Sequence, residues 1–158
     1  MIFTLVEYLV HRFLAFDFEL MFSKSCQYAI RAVLYLADKG KDGQCVGVKE
    51  IAETLEVPGP FLAKLLQQLS RNHIIGSTKG PHGGFCMSPT HLQASLIRVI
   101  ECIDGPDIFN SFVLGLPACN AANPCPLHYQ SLAYKQGMLK ILKDKTIAEV
   151  AQQVPEIV

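Results

Sequence analysis

The sequence predicts a mainly α fold with one small two-stranded sheet, and three observations carry that expectation. Apolar residues recur at helical spacing through most of the chain from Cys26 onward. Two short helical stripes around 48–55 and 62–69 are separated by a corner of prolines and a glycine. A strand, turn and strand pattern follows directly. Two amphipathic helices joined by a tight turn make a helix-turn-helix, and a hairpin behind them is a wing. The expected fold is therefore a winged helix-turn-helix with a small two-stranded wing and a long C-terminal dimerisation helix. In that arrangement the second helix enters the DNA major groove with its N-terminal residues leading.

Each element has its own justification. Cys26, Ala29, Ile30, Val33, Leu34 and Ala37 form a long stripe that Gly40 ends, a first helix lying beneath the pair. In the next helix Val48, Ile51, Ala52 and Leu55 fall at i, i+3, i+4 and i+7, which leaves Glu50, Glu53 and Glu56 facing water. Val57-Pro58-Gly59-Pro60 cannot continue it, because proline lacks an N–H and disfavours the α region for the residue before it. A recognition helix then runs from Pro60 to Arg71, ending at about Asn72. Leu62, Leu65, Leu66 and Leu69 lie on one face and Lys64, Gln67, Gln68 and Arg71 on the other. Ile74, Ile75 and Thr78, then Phe85, Cys86 and Met87, suit two strands, with Gly80-Pro81-His82-Gly83-Gly84 as the turn. Lys79 and His82 sit at the tip, where a cation meets a phosphate or probes the minor groove. The glycines match neither of the phosphate-loop patterns, so nucleotide binding is unsupported. A plain hairpin and a protein-docking helix-turn-helix are the other readings of this region.

Beyond the wing, Leu96, Val99, Ile100 and Ile103 mark a helix with Ser95 as N-cap and Gly105-Pro106 as stop. Asp107 to Asn123 has no period and reads as a loop. Leu127 to about Lys143 is apolar on a wide face that includes Leu132, Leu139 and Leu142, and such a helix needs a partner surface, here a second copy. Thr146-Ile147-Ala148-Glu149 is a capping box opening a last short helix.

A chain of 158 residues with 50% apolar content suits one domain or a small domain with an appended element. Net charge is zero, but residues 21–90 hold eight Lys and Arg against five Asp and Glu, so the positive charge lies where the helix-turn-helix lies. Residues 1–20 are hydrophobic, yet Glu7, His11, Arg12, Asp17 and Glu19 interrupt them, which argues against a membrane span. They also lack the order of a signal peptide and are a mis-assigned start or an added helix. The chain divides into that extension, a DNA-binding domain over 21–90, and a sensor loop with dimerisation helices over 91–158.

Six cysteines without a secretory signal indicate a reducing compartment, the cytoplasm, and thiol or metal chemistry rather than structural disulfides. Cys26, Cys86 and Cys102 fall within predicted elements and read as small buried hydrophobes, whereas Cys45 in a loop suits either a buried or a chemical role, and all four are taken as structural. Cys119, Cys125 and His128 differ, because an irregular loop lets two soft sulfurs and an imidazole converge without distorting a regular element. A closed zinc site or a [2Fe–2S] cluster wants four ligands, so one more must come from elsewhere or from the other subunit.

The segment from Met21 to about Val154 resembles the family of bacterial winged-helix transcription regulators that includes IscR, NsrR and CymR. The residues that carry the resemblance run from Tyr28 to Ala37, then Ile51-Ala52, Phe61-Leu62 with Lys64-Leu65-Leu66, and Ser77 to Phe85. Ile103-Asp104-Gly105-Pro106 and Cys125-Pro126-Leu127-His128 complete the set. The wing motif is the most diagnostic. The resemblance implies a homodimer on palindromic promoter DNA, with Lys24 and Tyr28 of the first helix joining Pro60, Phe61, Lys64, Gln67, Gln68, Arg71, Lys79, Gly80, Pro81, His82 and Gly83 at the DNA. It also implies a cysteine loop that in many members holds an iron–sulfur cluster, with Cys119, Cys125 and His128 as the ligands here. Two departures stand out. Phe112 or Val113 occupies the position of the family's first loop cysteine, and Lys79 stands where the wing commonly carries arginine. The expected function is a transcriptional repressor rather than an enzyme, responding to an iron–sulfur, redox or metabolite signal, with no membrane partner. The alternatives are a metal- or thiol-based redox module, which the lack of any C-x-x-C disfavours, and a protein-interaction module.

Overall fold

The computed structural model describes residues 22–40, 43–81, 83–109 and 119–154. The extension at 1–20, His82, Phe112 and Val113 lie outside the described residues. Helix α1 (Lys24–Lys39) opens at Ser23, whose hydroxyl accepts the Cys26 amide, and closes at Gly40. Its buried set runs Cys26, Ala29, Ile30, then Ala32 through Ala37 without a break, so the helix is enclosed on nearly every side. A wider apolar belt than one stripe means neighbours on several faces. Those neighbours are α2 (Val48–Leu55), α3 (Gly59–Arg71), α5 (Ile97–Asp104) and the C-terminal α7 (Ile147–Gln153). Between them lie β1 (Gly76–Thr78), β2 (Gly84–Cys86), α4 (Pro89–Leu92), a 3-10 turn (Pro106–Phe109) and α6 (His128–Asp144). One contiguous core collects residues from Phe22 to Ile147.

The helix-turn-helix ends its two helices in the same way. Glu56 adopts φ 54° and His73 φ 55°, both in the left-handed region. After each, the chain donates back in a Schellman pattern: Glu56 N to Glu53 O and Val57 N to Ala52 O, then His73 N to Ser70 O and Ile74 N to Leu69 O. Two hydrogen bonds at about 1 kcal/mol each offset the ~1 kcal/mol that a left-handed non-glycine residue costs. Val57 and Ile74, the residues that follow, are buried and anchor each turn. The turn therefore begins at Glu56, before the prolines, and α3 starts at Gly59 with Pro58 as its cap, one residue earlier than the sequence suggested.

Strands β1 and β2 pair antiparallel in the register Gly76–Cys86, Ser77–Phe85 and Thr78–Gly84. Ile74, Ile75 and Met87, expected within the strands, are instead buried plugs just outside them. The far edge of β2 is also covered, because Val46 and Phe85 exchange both backbone hydrogen bonds, at 2.8 and 2.9 Å. Gly80 takes φ 115°, and a Cβ on Gly83 or Gly84 would meet the Thr78 or Val46 carbonyl oxygen at 2.2 or 2.3 Å. No side chain fits at either.

Three further readings of the sequence need correction. Ser95 does not cap α5, whose N-cap is Leu96, because the Ser95 hydroxyl donates to the Leu142 carbonyl at 2.8 Å and so joins α5 to α6. Leu142, expected on a partner-facing side, is buried in the chain's own core. Of the three cysteines read as buried, only Cys26 is; Cys86 and Cys102 are half-buried, as is Cys45 in its loop. The capping box is present as expected, with Thr146 Oγ1 accepting the Glu149 amide and Glu149 accepting the Thr146 amide.

Replacing Gly84 by alanine should push β2 off Val46. Amide exchange at Val46 and Phe85 is expected to accelerate by at least tenfold while protection in α1 is retained, and unchanged exchange at both amides would show that the close approach is not limiting.

Candidate nucleic-acid interface and cysteine loop

Helix α3 buries Leu62, Leu65, Leu66 and Leu69, which turns Lys64, Gln67 and Arg71 outward at i, i+3 and i+7. Its first turn carries no acidic residue, so the positive end of the helix dipole is not neutralised where a phosphate would approach. Pro60 is exposed at that end. Phe61, 37% exposed, packs edge to face on Tyr28 of α1, with ring centroids 6.0 Å apart and planes at 83°. Lys24 is exposed one turn before Tyr28. Tyr28 and Phe61 thus join α1 to the leading end of α3, and both belong to one surface. Gln68 also lies on the outer face, but its Nε2 donates to the Cys102 carbonyl at 2.7 Å, so α5 holds it away from Lys64.

At the wing, Lys79, Gly80 and Pro81 are exposed and Gly83 is half-buried. The wing does not hang free of α3, since Ser70 Oγ donates to Ser77 Oγ at 2.9 Å. No sequence pattern flagged this contact between a helix end and β1. It ties β1 to the last turn of α3, so that helix and wing share one side of the fold.

Cys119, Cys125 and His128 do come together. Cys119 Sγ lies 3.3 Å from His128 Nδ1 and accepts the Cys125 amide at 3.3 Å, while the His128 amide donates to the Cys125 carbonyl at 3.0 Å. The loop is shaped by Asn120, whose Oδ1 accepts both the Ala122 and Asn123 amides at 2.9 Å. Cys119 and His128 are buried and Cys125 is half-buried. Burial chiefly pushes the Cys119 thiol up; the Cys125 amide pulls it down, and the Cys125 side chain raises it again. The three donors are joined to one another rather than placed around a common point, and among the described residues no group of three or more His, Cys, Asp or Glu side chains is set to hold a metal ion. The donor set still suits iron in kind, two soft sulfurs and an imidazole, but supplies three positions where a [2Fe–2S] cluster needs four.

Helix α6 leaves this loop. Leu142 reaches the core and Met138 and Leu139 pack against it, whereas Tyr134 and Ile141, 51% and 57% exposed, lie on another side. No helix among the described residues is long and apolar enough to cross a membrane.

Comparison with known proteins gives a consistent result. The family model described as "Rrf2: Iron-dependent Transcriptional regulator" matches residues 22–153. A protein of Aquifex aeolicus described as an HTH-type transcriptional regulator is 32% identical over 133 residues, covering 83% of this chain and 91% of that protein. The HTH-type transcriptional regulator IscR of Yersinia pseudotuberculosis is 25% identical over 124 residues, 78% of this chain and 74% of its own. Among solved structures, CymR, the global cysteine regulator of B. subtilis, superposes with a TM-score of 0.66 at 22% identity, covering 84% of this chain and 96% of that one.

Proposed function

Because the chain belongs to the Rrf2 family of transcriptional regulators, which are not enzymes, we propose that it is a homodimeric repressor of promoter DNA whose cysteine loop receives the signal. The observation that carries this reading is the locked pair of α3 and wing, with Lys64, Gln67 and Arg71 on one and Lys79 on the other. Lys24, Tyr28, Pro60 and Phe61 complete the surface, and Gly80, Pro81 and Gly83 let the wing backbone approach a phosphate closely. The division of labour is functional: residues 21–90 read DNA and residues 91–158 sense and dimerise, around one shared core. The reducing environment that six free thiols favour is the cytoplasm.

Two copies set side by side present two recognition helices, which selects a pseudo-palindrome with half-sites about 34 Å apart. An operator chosen from a random library should show that symmetry. Changing Lys64 and Gln67 together to alanine is expected to abolish sequence preference, and retention of specific nanomolar binding would remove α3 from the recognition role. Lys79→Ala should instead weaken binding to all sequences and reduce the slope of log affinity against log salt by about one.

The dimer contact falls to the exposed side of α6, where Tyr134 and Ile141 are uncovered in the single chain. Ile141→Glu places a charge in that seam, and sedimentation is expected to show monomers at concentrations where the unaltered protein is a dimer. An unaltered dimer would put the interface elsewhere.

A [2Fe–2S] cluster, when bound, would be held by Cys119 and Cys125 as thiolates and His128 as imidazole, with a fourth ligand from outside the described residues, and it would supply a redox-dependent charge at the N-terminus of α6. Whatever the loop senses can alter DNA affinity only through a free-energy difference between two dimer geometries. Operator affinity of the unaltered protein is expected to differ among its reduced, oxidised and iron- and sulfide-reconstituted forms, and Cys125→Ser should flatten that difference. Equal affinity in all three forms of the unaltered protein would return both cysteines to a structural role.

A further inference from the structure

A second pair of thiols, Cys45 and Cys86, stands 41 residues apart in the chain and outside the Cys119 loop. Val46 and Phe85 exchange both backbone hydrogen bonds. Continuing that antiparallel register by one residue sets Cys45 opposite Cys86 in a non-hydrogen-bonded position, the type in which side chains approach most closely and Cα atoms typically lie about 4.5 Å apart. That separation falls within the range of about 4.4–6.8 Å that a disulfide spans. Cys45 Sγ donates to Thr78 Oγ1 at 3.6 Å, which brings it over the β1–β2 pair beside Cys86, and the two thiols are close enough for Cys45 to raise the thiol of Cys86. Gly76 lies opposite Cys86, so no side chain on β1 stands directly across from its thiol. Both cysteines are half-buried rather than sealed in the core.

We propose that Cys45 and Cys86 form a reversible redox site at the base of the wing, oxidised to an intramolecular disulfide by low-molecular-weight disulfides. The Cys45 thiolate attacks one sulfur of the small disulfide, giving a mixed disulfide and expelling one thiolate. Cys86 then gives up its proton and attacks Cys45 Sγ, forming the Cys45–Cys86 bond and expelling the second thiolate. The protein loses two electrons and two protons, and the oxidant becomes two thiols. Burial and the neighbouring Cys45 push the Cys86 thiol up, with Thr78 pulling it down, which suits Cys86 to the second, intramolecular step. The bond would weld β2 to the segment entering α2. This site is separate from the Cys119 loop, and its chemistry stands whether or not the wing meets DNA.

The test equilibrates the reduced, metal-free full chain with oxidised glutathione without oxygen, quenches with acid, alkylates remaining thiols and digests without reductant. Peptide masses are expected to show Cys45 joined to Cys86 in most molecules, lost on adding dithiothreitol, with Cys26 and Cys102 alkylated. Cys86→Ala should stop one step earlier, with glutathione retained on Cys45. The proposal is overturned if Cys45 and Cys86 of the unaltered chain are both alkylated, if each carries its own glutathione, or if either is joined to another cysteine. The unaltered chain decides alone should the variant fail to fold.

Discussion

Everything in this molecule is hung on α1, a helix so enclosed that six consecutive residues from Ala32 to Ala37 are buried. A 16-residue helix contributes little stability of its own in water, so its order comes from what packs around it. The same contacts orient the surrounding helices. The end of α1 is tied as firmly as its middle. Ser23 caps the helix through its hydroxyl, and its own amide donates to Asp104 at 2.9 Å, with the hydroxyl also bonded to that carboxylate. Asp104 is the last residue of α5, so one acidic side chain joins the start of the first helix to the end of the fifth. Cys26 lies beside the same carboxylate. Burial, then the charge and hydrogen bond of Asp104, push its thiol far up, which keeps it a neutral core residue rather than a reactive one.

That frame makes the candidate interface rigid. The first turn of α3 is braced by the Tyr28 and Phe61 rings, its last turn is bonded to β1 through Ser70 and Ser77, and β2 is bonded to Val46 on its other edge. A surface held in this way surrenders little conformational entropy when it binds. The exposed residues supply charge and polarity while the buried contacts fix where they sit. Lys79 illustrates the division. As a flexible point charge on the hairpin it is suited to a phosphate rather than to the bidentate contacts that a planar guanidinium makes.

Much of this was legible because helical periodicity and turn chemistry are local. The faces of α2 and α3, the glycine turn of the wing and the Thr146 capping box all follow from residues within a few positions of one another. What escaped was set by partners far along the chain. Ser95 has the residue type of an N-cap but bonds the Leu142 carbonyl 47 residues away. Glu56 and His73 end their helices in a conformation usually marked by glycine, stabilised by the burial of Val57 and Ile74, which composition alone does not reveal. Leu142 looked like part of a partner-facing stripe, and only the return of α6 to the core assigns it inward. The convergence of Cys119, Cys125 and His128 was readable, since all three lie within ten residues of chain. The nearness of Cys45 to Cys86 was not, since it depends on the register of the single Val46–Phe85 bridge.

The placement of the cysteine loop suggests how a chemical event there would travel. His128 is both the buried partner of Cys119 and the first residue of α6. A change in the charge or bonding of Cys119 therefore acts on the end of a helix rather than on a loose segment. Near its other end that helix offers its carbonyls as acceptors, Leu142 to the Ser95 hydroxyl and Ile141 to the Lys145 amide, and the Leu96 amide in turn donates to the Lys145 carbonyl at 3.1 Å. Those contacts lead into α5, whose Cys102 carbonyl accepts Gln68 of α3 at 2.7 Å. The chain of contacts is continuous from the loop to α3, but continuity alone transmits nothing. It matters only if α6 has two positions, and with Leu142 sunk in the core and Ile141 uncovered, α6 is held by this chain on one side.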